Sequence, residues 1–249
     1  MFTDIALSQM SRVINCPGSV NICRLFPKLS KNYGSVANQS ILAHWLVGQI
    51  LLKNVDPYRY LNKAPINDND QIVTCEMLAH VIKYCDIIGL IGAGQIKQRY
   101  KFTAGEFVGF GGYPDFIFYN RDTQCLTVLG LKYGFVPILA FRNWELLSYA
   151  WLFYETNLKL NFHKINSIKI EIYQPRIQTR QWVRKVWEIP FAEAENEHWK
   201  KIQESLRLCK SNRLITRCGD HCQNCHALLQ CQCNLETCLK IVNLSGVRY

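Results

Sequence analysis

The chain has no apolar run long enough to cross a bilayer. Its longest stretches, such as Ile87–Gly94 and Tyr149–Tyr154, fall far short of the ~20 residues a spanning helix needs. No repeat with a period of ~20–50 residues recurs, and no Gly/Ser- or Pro-rich linker divides the chain. The opening Met1-Phe2-Thr3-Asp4 has neither a basic n-region nor an apolar h-region with a cleavage site, so the expected location is cytoplasmic, with no membrane partner. Acids are also scarce, 19 against 29 Lys plus Arg, and the net charge of +10 points to a polyanionic partner. A merely solvated basic surface is the alternative.

What is present is core material. Of 249 residues, 49% are hydrophobic and 12% aromatic, which excludes disorder and lets a single domain over 1–249 bury roughly 70% or more of its unfolded surface. In a reducing cytosol, 12 cysteines read as a metal site rather than a disulfide framework.

Apolar spacing predicts helices over 35–53, with Ser35 as its cap, and over 75–89 before the Gly89–Gly94 breaker. Segments near 96–103, 107–110, 114–119 and 125–131 are rich in Ile, Val, Phe and Tyr and separated by turn residues, so they read as short strands in a β-meander. Helical spacing returns at 143–156, strict alternation gives a strand at 168–174, and a last helix is expected over 191–210, from Pro190 to a Lys-rich end. The order describes an α/β domain with a cysteine-rich C-terminal appendage.

Asp115 follows Gly-Gly-Tyr-Pro at the start of one predicted strand, and Lys132 ends another, Val128-Leu129-Gly130-Leu131-Lys132. The pair resembles the PD-(D/E)XK nuclease core. The order His44, Asp115, Lys132, then a helix with Tyr149 resembles its RecB-type branch. Ser11-Arg12-Val13-Ile14-Asn15-Cys16-Pro17-Gly18-Ser19, Ile172-Tyr173-Gln174-Pro175-Arg176 and His221-Cys222-Gln223-Asn224-Cys225 extend the match to a phage and prophage group of these proteins.

The resemblance implies a restriction-endonuclease-like core, a mixed central sheet flanked by helices. It implies that His44 and Asp115 bind Mg²⁺ or Mn²⁺ and that Lys132 positions the attacking water or the phosphate. It also implies that Cys16 joins Cys222-x2-Cys225-x5-Cys231 to hold a [4Fe–4S] cluster, bringing 1–30 and 210–240 together. A zinc site on Cys218, Cys222, Cys225 and Cys231 satisfies the same local chemistry. Cys23, Cys75, Cys85, Cys125 and Cys209 read as buried thiols.

The expected activity is a DNA nuclease, with an exonuclease of phage recombination or defence as the implied type, acting on single strands or duplex ends beside a phage or host recombination partner. Two departures bear on it. The family acid two residues before the lysine is Gly130 here, and the helix bearing His44 reads Gln39-Ser40-Ile41 where Glu-Gly-Thr is usual. Glu145, four residues before Tyr149 and so on the same helix face, is a candidate replacement acid. Arg176, Arg180, Trp182 and Arg184 interleave charge and aromatic rings as a DNA-binding stretch. A catalytically inactive DNA-binding protein of the same fold and a zinc-stabilised interaction protein are the alternatives.

Overall fold

The computed structural model describes residues 5–26, 34–67, 69–92, 94–96, 100–102, 106–177, 183–211 and 215–236. Two short helices open the chain, α1 (Met10–Asn15) and α2 (Ser19–Leu25), followed by the long α3 (Ser35–Lys53) and α4 (Cys75–Ile91). Strands β1 (Gln95–Ile96), β2 (Tyr100–Lys101), β3 (Gly111–Gly112), β4 (Phe116–Asn120) and β5 (Cys125–Leu131) come next. Then α5 (Trp144–Phe153) crosses over to β6 (Ser167–Tyr173), β7 (Arg184–Pro190) follows, and α6 (Phe191–Glu193) continues through a π turn into α7 (Lys200–Lys210).

Five strands form one mixed sheet in the order β1-β4-β5-β6-β7, while β2 and β3 pair separately. β5 and β6 run parallel, from Cys125↔Ser167 to Leu131↔Tyr173, and the other pairs are antiparallel. Parallel neighbours need a long crossover, which α5 supplies. β5 is buried along its whole length because both faces are covered. On one face Leu126, Val128, Ile168, Ile170 and Ile172 pack with α1, α5 and α7, and on the other Phe116, Leu129, Leu131 and Tyr173 pack with α3 and α4. Among the described residues no helix is long and apolar enough to cross a membrane.

Several local expectations are corrected. Ser35 is the first helical residue of α3 and its cap is Gly34; the Ser35 hydroxyl instead faces Gln71. Residues 107–110 form a turn rather than a strand. Phe107 and Phe110 are held by ring packing on Trp151, at 5.1 and 5.7 Å, not by a ladder. Cys75 is exposed, because it is the first residue of α4 after the Thr74 cap. Among the described residues the meander is reduced to β1, β4 and β5, because β2 and β3 pair with each other outside this sheet and 107–110 adds no strand.

The two ends of the described chain meet. α1 packs on α7, and Gly18 N–H donates to Ile215 O at 2.8 Å. A Cβ on Gly18 would stand 2.7 Å from that oxygen, so only glycine allows this approach. Cys209 Sγ donates to Pro17 O at 3.3 Å, and Asn21 Nδ2 to Ser211 O at 3.4 Å.

Candidate functional site

Asp115 lies one residue before β4 and Lys132 one residue after β5, at the same end of the antiparallel pair. Asp115 Oδ2 accepts from Leu131 N–H at 2.9 Å. Its Oδ1 stands 3.3 Å from His44 Nε2, while His44 Nδ1 is 2.8 Å from Ser40 O one helical turn back. The Ser40 carbonyl can only accept, so Nδ1 carries the proton and Nε2 faces the carboxylate. Burial alone pushes the Asp115 carboxyl up; His44, Lys132 and the Leu131 N–H outweigh it and hold the group below its ordinary value.

Asn143 caps α5, its side chain accepting from Leu146 N–H, and so sets the direction of the helix that delivers Glu145 and Tyr149. Glu145 Oε2 is 2.6 Å from Lys132 Nζ, a partly buried charge pair. Tyr149, one turn on, is buried, and its hydroxyl takes a hydrogen bond from the Tyr113 backbone. Burial first, then Glu145 and Asp115, push that phenol far above its usual range, so it stays protonated. His44, Asp115, Lys132, Glu145 and Tyr149 therefore converge.

Gly130 faces the same spot. Alternation along β5 puts it on the α5 side with Val128, and a Cβ there would lie 3.9 Å from Asp115 Oδ2 and 3.2 Å from Leu146 Cδ2. The position lacking an acid is thus the one from which an acid would meet Asp115.

Beside the site, Arg176 Nη1 donates to Gln39 Oε1 at 2.6 Å, and its guanidinium lies 3.7 Å from the centre of the exposed Phe135 ring. Gln174, fully buried, donates to the carbonyls of Gly134 and Val136 and accepts from Ile138 N–H, which pins the loop carrying Phe135. Arg184, on the edge strand β7, makes two hydrogen bonds to the buried Glu171. Arg180 and Trp182 lie outside the described residues. The loop 133–142, with the buried Tyr133, the exposed Phe135 and Phe141, and Arg142, interleaves rings and charge in the same way and escaped the sequence reading; the signal was its spacing of aromatic residues up to Arg142.

Elsewhere, Cys16, Cys222, Cys225 and Cys231 line one small cavity with Ser19 and His221. Arg217 N–H donates to Cys16 Sγ at 3.4 Å. Cys23 Sγ lies 3.6 Å from Cys225 Sγ, and Cys218 neighbours both Cys222 and Cys233. Among the described residues no three sulfurs come within 4.8 Å of one another. Arg12 is buried, and its partners are Cys23 Sγ at 3.4 Å and Gln9 Oε1 at 2.9 Å, neither an acid. Sequence reasoning missed Arg12, which looks like an ordinary solvated helix residue.

A family model described as a protein of unknown function, DUF2800, matches residues 3–246. The chain belongs to that family. Comparison of this DUF2800 chain with curated proteins finds no match. Among solved structures it is similar to a phage-related exonuclease from Haemophilus somnus 129PT, at 12% identity and TM-score 0.38 over 84% of this chain and 93% of that one. It is also similar to a candidate exonuclease from Eubacterium rectale, at 10% identity and TM-score 0.47 over 94% and 87%.

Proposed function

We propose that this chain is a metal-dependent DNA nuclease of the RecB-like PD-(D/E)XK type, an exonuclease of phage recombination or defence with an incomplete acid set. The convergence of His44, Asp115, Lys132, Glu145 and Tyr149 at one end of β4 and β5 carries the reading. His44 Nε2 and Asp115 Oδ1 are two electron-pair donors facing each other at 3.3 Å, an arrangement that calls for a cation or a shared proton between them. Mg²⁺ or Mn²⁺ held there supplies a Lewis acid for the scissile phosphate and an acidified water.

Lys132, oriented by Glu145, places a positive charge where a phosphate oxygen gains negative charge. Because its carboxylate is engaged by Lys132, Glu145 acts as a positioning group rather than as the replacement acid. Tyr149, kept protonated, remains a hydrogen-bond donor beside them. Arg176 with Phe135, together with Arg184, Arg180 and Trp182, would hold the strand by phosphate contact and base stacking.

The same reading assigns a [4Fe–4S] cluster to Cys16, Cys222, Cys225 and Cys231 as a structural tie between the chain ends, with zinc as the alternative. Four thiols share one cavity, and the buried Arg12 guanidinium calls for an anion, which a thiolate cluster supplies.

One observation favours a second reading, a binding-only descendant: Gly130 leaves the ligand set short by one carboxylate. A Mn²⁺ nuclease assay on single- and double-stranded DNA tests both. Expected are slow cleavage by the wild type, a loss of roughly 10²–10³-fold in Asp115→Ala, a smaller loss in Glu145→Gln, and a gain in Gly130→Asp, where Leu146 must shift by a few tenths of an ångström. Salt-sensitive DNA binding with neither the wild type nor Gly130→Asp cleaving would establish the binding-only reading.

A further inference from the structure

Outside both sites, β7 runs into α6 and then into a π turn over Ala194–Trp199. Glu193, Glu197 and His198 project from this stretch, with one ligand atom of each lying within 4.8 Å of the others. On a regular α-helix, residues five apart point in different directions. The i→i+5 bonding of a π turn widens the coil so that residues 193 and 198 share a face. A π turn is a rare conformation that recurs at functional sites.

His198 supplies the independent observation. It is 4% exposed, and its ring is wedged edge-on between Trp144, at 5.7 Å, and Trp187, at 5.4 Å. Its Nε2 is buried and has no hydrogen-bond partner among the described residues. The nearest carboxylate oxygen, Glu193 Oε1, is 3.6 Å away, beyond hydrogen-bond reach. Two ligand atoms each ~2.1 Å from a tetrahedral ion stand ~3.4 Å apart, which is close to the separation observed. Glu193 is half-buried and Glu197 exposed, so the fourth direction opens to water.

We propose that Glu193, Glu197 and His198 bind a divalent transition cation of the Zn²⁺ class through one imidazole nitrogen and two carboxylate oxygens. Imidazole with carboxylates suits such an ion, whereas the thiol cavity suits softer ones. Arg142, stacked on Phe141 at 5.1 Å, is the nearby opposing charge, and two carboxylates outnumber it. The His198 ring packs on Trp144, the first residue of α5 and the neighbour of Glu145, so an ion on its Nε2 would fix the ring against that helix. The inference is independent of the nuclease reading.

Mn²⁺ is a suitable probe, because thiolates hold it poorly and its paramagnetism broadens nearby NMR signals. In ¹⁵N-indole spectra of the full chain, the Trp187 signal is expected to broaden at sub-stoichiometric Mn²⁺ and to recover when Zn²⁺ is added. Asp115→Asn should behave as wild type, whereas a Glu193→Gln/Glu197→Gln double variant should lose the broadening. Both carboxylates reach solvent, Glu193 in part and Glu197 as an exposed residue, so the double variant should keep the wild-type melting temperature without metal. No broadening of Trp187 in wild type, or equal broadening in the double variant, overturns the proposal.

Discussion

Around Asp115, Lys132 faces a partner of opposite sign in Glu145; at the thiol cavity, the buried Arg12 faces no acid among the described residues. Lys132 lies beside Asp115 and is paired with Glu145, so that constellation already holds charges of both signs, with the His44–Asp115 gap left for a cation or a shared proton. Among the described residues Arg12 has a glutamine carbonyl and a thiol. The backbones differ too. The first end is built on a five-stranded sheet and two long helices, whereas the second is closed by 3₁₀ turns at 220–224 and 228–230, which carry few hydrogen bonds of their own. A polar site framed by regular elements keeps its shape unaided, while a site framed by turns depends on whatever fills it.

The strongest way to break this comparison is Cys222→Ser. In anaerobically purified protein it is expected to abolish about four irons per chain along with solubility, because metal-binding free energy is folding free energy in such turn-built segments. Stoichiometric zinc without iron in the wild type would replace the cluster with the zinc alternative and keep the comparison. A well-folded Cys222→Ser chain with no metal would end it.

Arg12→Met sharpens the comparison through its sign. If a thiolate cluster is the missing counter-charge, removing the guanidinium should cost about 3–5 kcal/mol in cluster-loaded protein. In metal-free protein, where the same guanidinium is an uncompensated buried charge, the substitution should be neutral or stabilising. Urea midpoints of the two forms measure it, and an equal cost in both would assign Arg12 to packing alone.

The smallest effect lies beside the polar end. Burial holds the His80 imidazole below its usual value, with Arg176 adding to the drop and Glu76 opposing it. As pH falls through ~6.5, the unfolded chain takes up the proton before the folded one, so the contribution is present above that pH and lost below it. The urea midpoint should decline between pH 8 and pH 5.5, and His80→Gln should flatten part of the decline.

Much of the architecture follows from periodicity. α3 and α4 carry apolar residues at helical spacing, and β6 alternates as Ile168, Ile170 and Ile172 turn inward. Residues 107–110 misled because aromatic content resembles a strand whether the rings stack on Trp151 or line a sheet. The π turn was not legible, since a one-residue shift in hydrogen bonding leaves composition and period almost unchanged; with it, the grouping of Glu193 with His198 stayed hidden. His44, Asp115 and Lys132 stood in a recognisable order. The Lys132–Glu145 pair and the aim of position 130 needed coordinates, because each depends on strand register.

Arg217 N–H meets Cys16 Sγ across 201 residues of chain. During synthesis Cys16 emerges early, and its partners Cys222, Cys225 and Cys231 leave the ribosome only after every strand of the sheet has appeared. Domains fold as units while the chain emerges, so the sheet has its strands in hand while the cavity still lacks three of the four thiols that line it. Closing so long a loop costs little more entropy than closing a shorter one. Assembly of that end is therefore set by timing rather than by distance, and whatever occupies the cavity enters a protein whose sheet is already in place.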